Sequence, residues 1–186
     1  QQGQTLPDLT SRILTGMTPV FRQFAPDLVL VHGDTSTTLS TSLAAFYARV
    51  PIGHVEAGLR TGNMHAPWPE EMNRRLTAPL CALHFAPTDT ARDALLAEGI
   101  DPASIVVTGN TVIDALMQVD ARLRDDASLQ AAMRARFDFL RDDRRLLLVT
   151  GHRRENHDIG LDRICDALAT LAQRDDVQIV YPVHLN

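Results

Sequence analysis

The feature that most limits what this chain can fold into is an alternation. Six short apolar runs, "LVLVH" (28–32), "IGHVEA" (52–57), "LHFAP" (83–87), "IVVTG" (105–109), "RLLLVTG" (145–151) and "VQIVYPV" (177–183), are bounded by Gly, Pro or His. Between them lie segments with helical periodicity. Residues 8–24 put Leu9, Ile13, Met17 and Phe21 on one face. Residues 37–48 and 88–98 follow Ser/Thr/Asp-rich starts suited to N-caps, and "WPEEMNRRL" sets Pro69 at a helix's first turn, with Glu70 and Glu71 behind it at the positive end of the dipole. Further helices are predicted over 111–124, 127–140 and 160–174. Strand–helix alternation on this spacing predicts βαβ units and a doubly wound parallel sheet. The runs lack clean alternation of apolar and polar residues, as strands buried on both faces do.

The paired helices over 111–140 interrupt the alternation, which predicts a boundary near Asn110–Thr111. Residues 1–110 then form an N-terminal Rossmann-like domain, incomplete at its start. Residues 111–186 form the beginning of a second such domain, with two strands, too few for an independent sheet. The opening Gln1 and the stop directly after a strand both suggest a piece of something longer.

Composition narrows the functional classes. A net charge of −5 disfavours a nucleic-acid or anionic-membrane surface, and all 18 basic residues are Arg. No apolar run approaches the roughly 18–20 residues of a membrane span. Cys81 and Cys165 are far apart and form no C-x-x-C, which argues against a disulfide framework or zinc site. A soluble cytoplasmic protein is expected. The P-loop, G-x-G-x-x-G and G-x-S-x-G patterns are absent. "HGD", "TGN" and "TGH" echo fragments of a dinuclear-metal phosphoesterase. However, Asn110 is followed by Thr111, and His152 by Arg153 and Arg154, where that ligand set needs further His. No metal is expected.

Open parallel sheets bind ligands beyond the carboxyl ends of their strands. At that edge this sequence places His32 and Asp34, then His54 and Glu56, then Gly151, His152 and Arg153, and finally His184. In "HGDTSTT", Gly33 permits a tight turn and the hydroxyls can cap the next helix. Asp34 is either that cap or a catalytic acid. Glu56 follows "HV", with Gly58 loosening the loop and Arg60 close enough for a surface ion pair as the alternative. Glu70 opens a helix, where dipole compensation is the alternative.

Taken together, "VHGDTSTT", "GHVEAGLRTG", "PWPEEMNRRL", "TGNTVIDAL", "TGHRREN" and "VYPVHLN" closely resemble the non-hydrolysing UDP-N-acetylglucosamine 2-epimerases, in order and over essentially the whole chain. The resemblance implies a GT-B-like α/β fold, with a parallel Rossmann-type sheet plus the start of a second Rossmann-type domain, usually in a homodimer. It implies interconversion of UDP-GlcNAc and UDP-ManNAc in the cytoplasm, for polysaccharide biosynthesis, without metal or nicotinamide. UDP-GlcNAc, UDP-ManNAc and UDP are the implied partners, with neither nucleic acid nor membrane. By motif it places the critical carboxylates on Asp34, Glu56 and Glu70 and the critical imidazole on His152. Gln4, Arg153 and His184 match positions used for substrate or activator binding. The isolated 186 residues are expected to bind UDP weakly, to turn over little, and to leave unpaired edges on the last two strands. A GT-B glycosyltransferase and a non-catalytic UDP-sugar-binding protein are the competing readings.

Overall fold

The computed structural model describes residues 4–151 and 159–183. The chain divides into two compact units, Gln1–Leu116 and Met117–Asn186. The first contains α1 (Leu6–Phe24), β1 (Val29–His32), α2 (Ser36–Tyr47), β2 (Ile52–Val55), α3 (Glu70–Thr77), β3 (Leu83–Ala86), α4 (Asp89–Ala97) and β4 (Ile105–Val107). Helix α5 (Thr111–Asp125) contains the division between units. The second unit continues with α6 (Ala127–Arg136), β5 (Arg145–Leu148), α7 (Ile159–Leu171) and β6 (Val177–Val180).

All strand pairings are parallel, in two separate sheets ordered β1-β2-β3-β4 and β5-β6. Among the described residues the connecting helices of the first sheet cover one of its faces, where strands covered on both faces were expected. Right-handed crossovers that always step the same way place every connecting helix on one face of the sheet. Strand β1 alternates, with Val31 6% exposed and its neighbour Leu30 61% exposed, whereas β2 keeps Ile52, Gly53 and His54 all buried. The covered face packs Val31 and Ile52 against Phe21 of α1 and Ala44 and Ala45 of α2. A second cluster joins Ala57, Ala78 and Leu95, with Ile100 and Ile105 at its margin.

This core is unusually polar. Thr38, Ser40, Ser42, His54, Glu71, Asn73, Thr77 and His84 are all buried. The hydroxyls of α2 answer part of that burden themselves. Ser40 Oγ donates to the Ser36 carbonyl at 2.6 Å and Ser42 Oγ to the Thr38 carbonyl at 2.8 Å, which satisfies each within its own helix. Small side chains of this kind let α2 sit close to α1 and the sheet.

Candidate functional site

Gly33 turns the chain from β1 into α2 with φ +71°, a left-handed conformation that glycine adopts without strain. The N-cap that follows is Thr35, whose hydroxyl accepts the Thr38 N–H at 3.3 Å. Asp34 therefore does not cap the helix. Its Oδ2 takes two hydrogen bonds from Arg74 of α3, from Nε at 2.9 Å and Nη2 at 2.6 Å. Among the described residues, no donor reaches Oδ1.

Glu56 stands one residue past β2 and has φ +66°. For a residue with a Cβ that conformation costs on the order of 1–2 kcal/mol and persists only where the surroundings enforce it. Here the backbone is pinned on both sides: Gly33 N–H donates to the Val55 carbonyl and Ala57 N–H to the Phe85 carbonyl, both at 3.0 Å. The enforced turn sends the Glu56 carboxylate back over the β1–α2 turn. Its Oε2 lies 3.5 Å from His32 Nε2, and a Cβ built on Gly33 would sit 3.5 Å from the same oxygen. Asp34 and Glu56 are thus brought to one edge of the sheet, and the side chain beside the Glu56 carboxylate is His32, while Arg60 pairs with Glu98.

Glu70 is the first residue of α3 and is half-buried. It precedes Arg74 by four positions, so the two share one helix face, the face from which Arg74 reaches Asp34. His152 and Arg153 lie outside the described residues, as does His184. Gln4 is described and exposed.

The loop from β2 to α3 is anchored by a residue that its letters do not distinguish from its neighbour. Glu71 reads as a surface acid at a helix start, yet its side chain is fully buried. It accepts the Thr61 N–H at 3.0 Å, the Gly62 N–H at 3.2 Å and Arg74 Nη1 at 3.2 Å, and Arg75 Nε lies 3.5 Å away. Burial pushes its pKa up, but the bonds from Thr61, Arg74 and Gly62 outweigh that and hold it below the usual carboxylate value. Further along, Arg60 grips Glu98 through two bonds of 2.8 and 2.7 Å, which lowers the Glu98 pKa. Gly58, expected to loosen the loop, tightens it instead. A Cβ there would collide with the Ala91 carbonyl of α4, whose carbon lies 2.8 Å away, and its φ is +87°.

His54 is buried in β2, with Nε2 at 2.7 Å from the Gly33 carbonyl. A carbonyl only accepts, so Nε2 carries the proton, while the buried Nδ1 has no hydrogen-bond partner among the described residues. Burial lowers the pKa of this imidazole. Among the described residues no cluster of His, Cys, Asp or Glu could hold a metal ion.

The spacing of Glu70, Glu71, Arg74 and Arg75 at i, i+3 and i+4 was the one sequence signal that could have exposed the α3 clamp. Nothing local marked Glu71 as the buried member.

A parallel α/β sheet with acids gathered at the carboxyl ends of its strands places this unit in the Rossmann-type class, with a candidate ligand edge at those ends. Comparison narrows the class. The family model described as UDP-N-acetylglucosamine 2-epimerase matches residues 1–186. The chain is 59% identical over 185 residues to a probable UDP-N-acetylglucosamine 2-epimerase of Ralstonia nicotianae, covering 99% of this chain and 49% of that protein. It is 54% identical to the UDP-N-acetylglucosamine 2-epimerase of Escherichia coli, covering 100% of this chain and 50% of that one. The crystal structure of UDP-GlcNAc 2-epimerase from Neisseria meningitidis bound to UDP-GlcNAc superposes with a TM-score of 0.96 at 46% identity, covering 100% of this chain and 50% of its own. This chain belongs to the UDP-N-acetylglucosamine 2-epimerase family, with the GT-B-type α/β fold. It spans about half the length of the curated relatives it matches.

Proposed function

We propose that this chain supplies the acid–base half of an enzyme that interconverts UDP-GlcNAc and UDP-ManNAc. The observation that carries the reading is the enforced φ of Glu56, which folds its carboxylate over the turn bearing Asp34. The C2 proton of the sugar is not acidic, because no carbonyl adjoins that carbon. As the C1–O bond to UDP stretches, C1 gains oxocarbenium character and the neighbouring proton becomes removable. A carboxylate takes that proton, the C2–H electrons form the C1–C2 double bond, and the C1–O electrons leave with UDP. The product pair is 2-acetamidoglucal and UDP. Re-addition of UDP with protonation from the opposite face inverts C2.

Such a route needs acids around C1 and C2 and a donor for the diphosphate. Asp34, Glu56 and Glu70 share proton transfer and cation stabilisation, and Oδ1 of Asp34, left open by Arg74, is the oxygen available for it. His152 assists the departing diphosphate. Gln4, Arg153 and His184 belong to substrate or activator binding. The same reading, resting on the family resemblance, carries two Rossmann-like domains meeting near residues 110–111, a cytoplasmic homodimer, and supply of ManNAc for surface polysaccharide.

The test is incubation of UDP-GlcNAc with the full-length protein in deuterium oxide, followed by NMR. UDP-ManNAc carrying deuterium at C2 is expected. Conversion without label overturns the elimination route, and a product that forms only with a sugar acceptor overturns the epimerase reading.

A further inference from the structure

A strand-to-helix turn with a glycine and a capping threonine needs little else, yet the turn 32–34 has every carbonyl held by a different side chain. Thr38 Oγ1 of α2 donates to the His32 carbonyl at 2.7 Å, His54 Nε2 of β2 to the Gly33 carbonyl at 2.7 Å, and Asn73 Nδ2 of α3 to the Asp34 carbonyl at 2.8 Å. Thr38 is 4% exposed, and His54 and Asn73 are each 1% exposed. Burying an amide or an imidazole is unfavourable unless it is bonded, so these side chains are committed to the turn. Their partner is a carbonyl, which also fixes the Asn73 amide with nitrogen facing Asp34.

Three bonds hold Asp34: two come from Arg74 Nε and Nη2, both to Oδ2, and the third from the adjacent Asn73 to the main chain. Arg74 uses its remaining arm on Glu71 at 3.2 Å, and Glu71 in turn holds the Thr61 and Gly62 amides. Helix α3 therefore begins with one acid, Glu70, and within its next turn grips another, Asp34, that is 36 positions earlier in the chain.

We propose that Asn73 and Arg74 are positioning residues that lock the backbone and one carboxylate oxygen of Asp34 to α3, setting Asp34 and Glu70 in a fixed register with Asp34 Oδ1 presented outward. This inference rests on the epimerase reading for its consequence, though not for its geometry. A guanidinium places two parallel donors on one oxygen and a third elsewhere, whereas an ammonium is a single point charge. Arg74→Lys keeps the charge and loses the fork. Arg75 is the control: it neighbours Arg74 and approaches Glu71 and Glu98, but makes no bond to Asp34.

In the full-length protein, Arg74→Lys should lower kcat for epimerisation by about 10–100-fold, with KM for UDP-GlcNAc within about 3-fold of the parent, because misplacing a reacting group acts on the chemical step. Exchange of the C2 proton with solvent should slow in parallel. Arg75→Lys should leave both unchanged. Equal losses in the two lysine variants, or a loss confined to KM, would make Arg74 merely structural and overturn the inference. A parent protein that forms no UDP-ManNAc overturns the function instead. Amide hydrogen exchange at residues 33–38 decides the positioning independently of activity: faster exchange in Arg74→Lys than in Arg75→Lys is expected, and identical rates refute it.

Discussion

The two units of this chain start from the same pattern of letters and arrive at different physical states. Both alternate short apolar strands with amphipathic helices. Among the described residues of the first unit, ten hydrophobic side chains are buried, along with eight polar or charged ones that are largely matched by hydrogen bonds. In the second, no described residue is buried: Leu146, Leu147 and Leu148 of β5 are 50%, 36% and 62% exposed. In the first unit α2 packs against both α1 and α3 along the four-stranded sheet, and α4 packs against β3 and β4. The described residues of the second unit contribute one two-stranded sheet, which by itself covers little apolar surface. Periodicity states which face is meant to be covered; packing against neighbouring elements covers it.

The largest expected separation between the units comes from removing one buried charge. Glu71→Gln leaves Arg74 and Arg75 without their shared carboxylate and should cost the first unit about 3–5 kcal/mol. The readout is the urea midpoint followed through Trp68, the single tryptophan, which lies in that unit. Asp143→Asn, which removes the exposed Arg141–Asp143 pair of the second unit, should leave the midpoint where it is. Equal shifts would break the comparison.

A smaller contrast follows from apolar deletion. Leu95→Ala empties a fully buried site under α4 and should cost about 2–5 kcal/mol. Leu148→Ala, at an exposed position in β5, should stay within about 0.5 kcal/mol in the same denaturation experiment.

The smallest effect is in acid, and it sharpens the account of the polar core. The folded pKa of His54 is lowered from the usual 6.5, so between the two values the unfolded chain binds more protons and acid favours unfolding. Stability is complete above about pH 6.5 and declines as the pH falls toward the folded pKa. Glu71, also lowered, adds a second decline that begins only near pH 4.5. Denaturation midpoints taken across this range should show two steps, and His54→Gln should remove the upper one. A single step near pH 4 in the parent protein would refute the assignment.

Asp34 and Glu56 stood out in the sequence because a charged side chain at the end of an apolar run is conspicuous and strand ends define the ligand edge, whereas Glu70 opens a helix and was singled out by the family resemblance. Glu71 and Asn73 did not stand out, because "EEMN" at a helix start is what any solvated helix might carry. Their burial depends on the 57–69 loop folding back against α3, and on Gly58 letting that loop press against α4. Gly58 itself was misread for the same reason. A glycine in a loop suggests freedom until the atom it avoids, the Ala91 carbonyl, is in place. The hydroxyls of α2 divided similarly: Thr35 caps as a local rule requires, while Ser40 and Ser42 were drawn inside by neighbours remote in sequence.

By itself the sequence determined the elements, their parallel pairing and the acids at the strand ends, since these follow from spacings of two to four residues and from chain connectivity. Only the tertiary structure decided which sheet face is covered, that Glu71 is interior, and that Arg74 takes hold of a carboxylate 40 residues away. Those outcomes depend on the direction in which crossovers wind and on close contacts between distant segments, and no local pattern encodes either one.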